Sequence, residues 1–413
     1  MPSFSIPLSG LTASSEALST TANNLANLNT IGYKDEQIQF ADLFYQNLGS
    51  NGAGDPIQQG AGVTVSSKPS DFTEGDVTST GVSTDVAING NGFFVIEKNG
   101  VQSYTRAGNF EVGTDNLLET ADGQQVLGYP AVNGVVSTGQ GLGPIALGAG
   151  TISPATVTSN LQMTSNLDAT AAVGTVYSAP QATIYDSLGA SHNITITYTK
   201  TATNTWSYSV TIPAADVNGT TDPTVLSTGT LSFDGNGNLV TPTANISPVK
   251  ITGFADGAND LSFTWDLYDK NNNGLLTQEA GPNSTSSIQQ DGAGSGTLVN
   301  FNIGSDGTIT GSFSNGKTAV IGQIALASFA DEQGLEHEGS NDFTPTLASG
   351  QPTIGAPSTS GLGTISGGAL EQSNVDIATE FANLIVAQRS YEANARVVTT
   401  FDQIAQDTIA LKQ

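Results

Sequence analysis

The constraint that most limits this chain is a change of hydrophobic period along its length: both ends repeat every three or four residues, and the middle repeats every two. Near the start, Leu8, Leu11, Ser15, Leu18, Ala22, Leu25 and Asn29 form one stripe of an amphipathic helix, opposite a face of Ser, Thr and Asn. Gly32 is the expected stop, since a left-handed cap favours glycine. Near the end, Ser373-Asn374-Val375-Asp376 has the form of a capping box. The stripe that follows runs through Ile377, Phe381, Leu384, Gln388, Tyr391, Ala395 and Val398, then slips by one residue to Val397, Phe401, Ile404, Thr408 and Leu411. No Gly or Pro interrupts residues 371–413, so a helix of up to roughly 60 Å is allowed.

Chain ends fray unless something holds them. Both stripes also carry small or polar residues at seam positions, which leaves much of the contact to neighbours. The two ends are therefore expected to pair with each other and then with other copies of the chain. The interface residues are Leu8, Leu11, Leu18, Leu25, Ile377, Phe381, Leu384, Tyr391, Val398 and Phe401.

Between the ends, strict alternation in Ile194–Tyr198, Trp206–Ile212 and Leu261–Leu267 predicts strands. Asn89-Gly90, Asn99-Gly100, Ser305-Asp306-Gly307 and Ser314-Asn315-Gly316 predict turns. Gly/Ala/Ser/Pro-rich stretches at 131–156, 280–296 and 349–368 read as joints between compact units. The fold class is mainly β with helical termini: paired, coiled-coil-like end helices carrying two β-rich domains by nested insertion. The expected division is terminal helices at 1–30 and 371–413, a connector at 31–70 and 356–370, an inner β-domain at 71–147 and 296–355, and an inserted outer β-domain at 148–295.

Composition excludes several functions. The formal net charge is -26, with 11 basic residues spread singly along the chain, so no basic stripe exists for a phosphate backbone and no nucleic-acid partner is expected. Cys is absent, which removes disulfides, thiolate metal sites and cysteine nucleophiles. No apolar run approaches the roughly 20 residues of a membrane span, and the start of the chain lacks the pattern of a cleavable secretion signal.

Nor does any motif point to catalysis. Asp269-Lys270-Asn271-Asn272-Asn273-Gly274 begins like a calcium loop, but position twelve is Ala280 and the acid falls one residue early at Glu279, so a turn is expected. Asp234–Asn238 reads the same way. His192 and His337, the two histidines, are not in a metal-spaced pair, and no nucleophile-elbow sequence is present. Arg106 reads as a structural contact within its hairpin. No catalytic, cofactor or metal residues are assigned.

Asn27, Thr30, Gly32, Tyr33 and Lys34, within Ala26–Lys34, resemble the signature of the bacterial flagellar rod and hook axial proteins. Asp85–Phe94, Tyr104–Phe110 and Asp122–Tyr129 resemble that family's inner β-domain, and Glu371–Asp376 with Ile385–Ala395 resembles its terminal helix. The large insert resembles the hook-type rather than the rod-type members. The resemblance implies a non-enzymatic subunit that polymerises head to tail into a hollow, bendable tube, a universal joint passing torque from rod to filament. It implies export without a cleavable signal and a place in the extracellular hook. The implied partners are further copies of itself, rod, hook-cap and hook-filament junction proteins and the export apparatus, with no cofactor. It also implies that the end helices are disordered in an isolated subunit. Alternatives are a distal rod protein, a secreted adhesin or glycan- or calcium-binding module, and a polysaccharide-cleaving enzyme.

Overall fold

The structure, a computed structural model, describes residues 5–52, 54–132, 134–148, 151–219 and 223–410. It divides into two compact units. The first comprises Met1–Gly148, Phe301–Gly311 and Val320–Gln413; the second comprises Ala149–Asn300 and Ser312–Ala319.

In the first unit, helix α1 (Ser5–Ala26) packs against helix α2 (Ile377–Ala410). The packing is antiparallel: Asn24 near the end of α1 donates to Glu380 at the start of α2, and Asn394 farther along α2 donates to Ser14. Both end segments are helical in the structure. Helix α1 ends at Ala26, six residues before the expected cap at Gly32. Asn27 ends it, with Nδ2 donating to Asn23 O at 2.9 Å and Oδ1 accepting from Thr30 Oγ1 at 3.1 Å, so local side-chain bonds replace the next helical turn. Helix α2 begins at Ile377, three residues later than a Ser373 capping box requires. Asp376 itself is the cap, its Oδ1 accepting the Thr379 amide at 2.8 Å.

The β-part of this unit is built on the hairpin Phe93–Lys98 and Val101–Thr105, whose Asn99-Gly100 turn has both residues at positive φ, 54° and 82°. Phe93 to Ile96 are all buried because the sheet is covered on both faces: Phe94 and Ile96 join Val86, Ile88 and Phe110, while Phe93 and Val95 join Tyr104, Leu127 and Phe343. Two short ladders bring the chain's late residues back to the early ones. Thr364–Gly367 pairs with Val86–Asn89, and Ala369–Glu371 pairs with Val77–Ser79.

The second unit has one core between sheets. Ser191–Ala202, Thr205–Ile212 and Thr224–Phe233 form an antiparallel meander, with Asn204 at φ 55° in the first turn. Asn160–Asn166 lies parallel to Leu261–Asp266 and antiparallel to Ser284–Gln290. Alternate residues Ile194, Ile196, Tyr198, Trp206, Tyr208 and Val210 point inward, as their period requires.

Two buried tryptophans differ in one respect. Trp206 Nε1 donates to Gln278 Oε1 at 3.1 Å, whereas Trp265 Nε1 has no hydrogen-bond partner among the described residues. An unpaired buried N–H costs about 1–3 kcal/mol. Trp206→Phe is therefore expected to destabilise the second unit by about 1–3 kcal/mol more than Trp265→Phe, although the two remove equal volume. Urea denaturation followed by circular dichroism checks this, and equal losses would contradict it.

Candidate functional site

The segment after α1 folds back on the chain's end. Gly32 sits at φ 67° and donates its amide to Glu371 O at 2.9 Å. A Cβ there would lie 2.7 Å from Ala107 N, so only glycine fits. Tyr33 is buried beside α1, its hydroxyl donating to Asn24 Oδ1 and accepting from Asn23 Nδ2, each at 3.1 Å. Burial, reinforced by Glu36 and Asp35, pushes this phenol well above the usual tyrosine range.

Lys34 points inward to Glu371. Its Nζ is 2.6 Å from Glu371 Oε1 and donates to Thr73 O at 2.6 Å. Arg106 holds the other carboxylate oxygen, Nε to Oε2 at 3.0 Å, and its Nη1 donates to Gly90 O and Gly92 O. The Gly75 amide donates to Oε1 at 3.0 Å. All three charged side chains are at most 4% exposed. Burial and the nearby Arg106 charge lower the Lys34 pKa, and Glu371 opposes them. Breaking such a cluster costs several kcal/mol because a charge is left buried and unpaired. Lys34, from the segment after α1, the hairpin residue Arg106 and the strand before α2 are thereby fixed in one register.

A second polar group sits at the base of the helix pair. Asn24 donates to Glu36 O at 2.9 Å and to Glu380 Oε2 at 3.2 Å, and accepts from the Glu36 amide. Asn374 accepts the Asp35 amide at 2.8 Å and donates to Asp71 O at 2.8 Å. Asp35 Oδ1 is buried without a hydrogen-bond partner among the described residues. Burial first, then Glu380 and Asp71, raises the Asp35 pKa to about 6.

The seam between the helices is not the leucine stripe. The buried residues of α1 include Ala13, Ser14, Thr20, Thr21 and Asn24, and those of α2 are Glu380 and Ala387. A Cβ on Gly10 would come within 3.0 Å of the Asn394 side chain, so the approach is close. With Asp35–Ile38 these faces bound a cleft of ≈ 750 Å³. Leu8, Ile377, Phe381 and Tyr391 are exposed, and Leu11, Leu18, Leu25, Leu384, Val398 and Phe401 are half-buried. The sequence reading did not single out the hairpin Gln46–Ser50 and Pro56–Gln59, around which Phe44, Tyr45, Leu48 and Ile57 are exposed, Phe44 by 95%.

The remaining candidates resolve as turns or local contacts. Asp269 Oδ1 accepts the Asn271 and Asn273 amides at 2.8 Å, and Asp234 Oδ1 does the same for Asn236 and Asn238. His337 Nε2 lies 3.1 Å from Ser70 Oγ and its ring packs on Phe343. His192 is brought into a cluster that sequence spacing gave no sign of, described below.

Four family profiles match in chain order. They are the flagella basal body rod protein over residues 6–34, the flagellar hook protein FlgE/F/G D1 domain over 87–168, the flagellar basal body protein FlaE D2 domain over 151–293, and the flagellar basal body rod FlgEFG protein C-terminal over 366–411. Flagellar hook protein FlgE of Escherichia coli is 35% identical, over 99% of this chain and 100% of that one. Its counterparts in Salmonella typhimurium and Borreliella burgdorferi are 36% and 33% identical, covering 99% and 98% of this chain and 100% and 98% of theirs. Among solved structures, Helicobacter pylori flagellar hook protein FlgE2 aligns with a TM-score of 0.46 at 16% identity, over 71% of this chain and 100% of that one.

Paired end helices that leave Leu8, Ile377, Phe381 and Tyr391 exposed, with β-rich structure between them in the chain and these relatives along its length, define an axial structural subunit of the flagellum. More narrowly, the chain belongs to the flagellar hook protein family.

Asp35 gives a pH signature. Its pKa is higher folded than unfolded, so its contribution to stability is full below pH 4 and is lost as pH rises through about 6. The melting-temperature difference between Asp35→Asn and the parent should be near zero at pH 4 and positive above pH 7. A difference independent of pH would contradict the assignment.

Proposed function

We propose that this chain is the building block of a flagellar hook: a non-enzymatic subunit that assembles with copies of itself into the hollow, bendable, extracellular tube joining rod to filament. The observation that carries this reading is the exposure of Leu8, Ile377, Phe381 and Tyr391 on the paired helices. A monomer has no use for Phe381, 52% exposed, or Leu8, 55% exposed, on adjacent helices, but a neighbouring copy covers them. An interface of this kind is heterologous, and one that does not close makes a filament.

In this reading Leu8, Leu11, Leu18, Leu25, Ile377, Phe381, Leu384, Tyr391, Val398 and Phe401 are the polymer contacts. The signature residues Asn27, Thr30, Gly32, Tyr33 and Lys34 lock the helix pair to the β-unit that it carries. The helices form the tube's core, residues 31–70 and 356–370 connect, and the β-domains at 71–147 with 296–355 and at 148–295 complete the subunit. Residues 1–50 and 370–413 hold ten acids and four bases, so most of the -26 belongs to the β-domains. Rod, hook-cap and junction proteins and the export apparatus are the further partners. No described helix is long and apolar enough to cross a membrane.

Phe381→Asp combined with Leu8→Asp tests the stripe. Both positions are exposed, so the monomer's stability should change by about 0.5 kcal/mol or less. Sedimentation of the concentrated protein should show polymers from the parent and none from the variant. Normal polymers from the variant would contradict the proposal.

A further inference from the structure

Four side chains from separate segments converge in the second unit. Asp186 precedes the turn into strand Ser191–Ala202, His192 lies at that strand's start, Asp216 closes the short turn Ala214–Asp216, and Asp256 lies in the loop after Ile246–Ile251. His192 is 7% exposed, and Phe254 packs on its ring at 4.6 Å. Its Nε2 is 3.0 Å from Asp186 Oδ2 and 3.9 Å from Asp256 Oδ2. On the other side, Nδ1 lies 3.3 Å from Asp216 Oδ2 but makes no hydrogen bond among the described residues, which leaves a buried polar atom unsatisfied.

Asp186 is fixed. Its side chain is fully buried, and Oδ1 accepts the Leu188 and Ala190 amides at 2.9 Å each, so Oδ2 is presented to the imidazole. Although burial pushes this carboxyl up, its hydrogen bonds with His192, Asp256 and the backbone hold it below the usual range. Three carboxylates therefore surround one imidazole in a chain already strongly acidic, and the centre wants a cation. The protein's other buried ion cluster supplies its cations from Lys34 and Arg106; here, His192 is the sole basic side chain in the group.

We propose that Asp186, His192 and Asp256 bind a divalent transition-metal ion of the zinc class, with Asp216, whose Oδ2 lies 3.3 Å from Nδ1, as the outer carboxylate behind the imidazole. One ligand atom from each of the three lies within 4.8 Å of the others. Metal–ligand bonds of about 2.1 Å place neighbouring ligand atoms roughly 3.0–3.4 Å apart. The Asp186–His192 pair already has that spacing, and Asp256, on an exposed loop, closes by roughly half an ångström. An imidazole ligand favours transition metals over calcium, which takes oxygen donors. A carboxylate behind a ligating histidine is the usual second-shell arrangement. The bound ion joins the loop at 186–191 to the one at 252–260, while Asp216 adds the turn at 214–216.

The test is calorimetric titration of the chelator-treated full chain with zinc chloride and, separately, calcium chloride. Saturable binding of one zinc per chain is expected, weakened at least tenfold by His192→Gln or Asp256→Asn and several-fold by Asp216→Asn. Asp256 is one-third exposed, so Asp256→Asn keeps the fold and decides the matter even if His192→Gln does not. Zinc should also raise the melting temperature of the parent but not of Asp256→Asn. Absence of saturable zinc binding up to millimolar concentration, equal affinity in Asp256→Asn, or calcium binding as tightly as zinc would each overturn the proposal.

Discussion

The first unit depends on a single buried carboxylate. Glu371 accepts from Lys34, Arg106 and the Gly75 amide, and its own carbonyl accepts the Gly32 amide. Those partners come from the segment after α1, from the inner hairpin and from the loop that follows the connector, so one side chain sets where each ends. Hydrophobic burial alone would tolerate some sliding of short ladders such as Ala369–Glu371 on Val77–Ser79. Two buried cations that need one anion do not tolerate it. What the cluster contributes is chiefly register, since a buried ion group often adds little net stability over an apolar replacement.

With its base fixed, the helix pair is free to be built from small and polar residues. Ala13, Ser14, Thr21 and Asn24 are the buried residues that allow close approach along α1, while Leu8, Ile377, Phe381 and Tyr391 stay exposed. Most helix pairs bury their large apolar residues against each other. This pair buries small and polar residues most fully and leaves Leu8, Ile377, Phe381 and Tyr391 exposed, in keeping with the proposed assembly. The polar base adds a cost at neutral pH, where Asp35 holds a charge in a partly buried acidic setting.

Much of this was legible in the sequence. Periodicity located both helices and the alternating strands, and Asn99-Gly100 marked its turn, because those signals arise from neighbours a few residues apart. The seam was not legible: Gly10, Ala13 and Ser14 carry no hydropathy contrast, so the stripe of leucines drew attention to the opposite role. The capping residue at α2 was misplaced to Ser373 because Asp376 satisfies the same short pattern by itself. Glu371 and Lys34 are 337 residues apart, and no local pattern announces that they meet. The same holds for His192, whose carboxylate partners at 216 and 256 reach it only through the sheet topology of the second unit.

The central claim is that Glu371 holds the helical base and the β-part of the first unit in one register. Differential scanning calorimetry of Glu371→Gln tests it most directly, because the substitution keeps the shape and removes the charge. Two buried cations are then left without an anion, and the first unit's transition should lose about 3–5 kcal/mol while the second unit's transition stays where it is. An unchanged first transition, or an equal loss in both, would contradict the account.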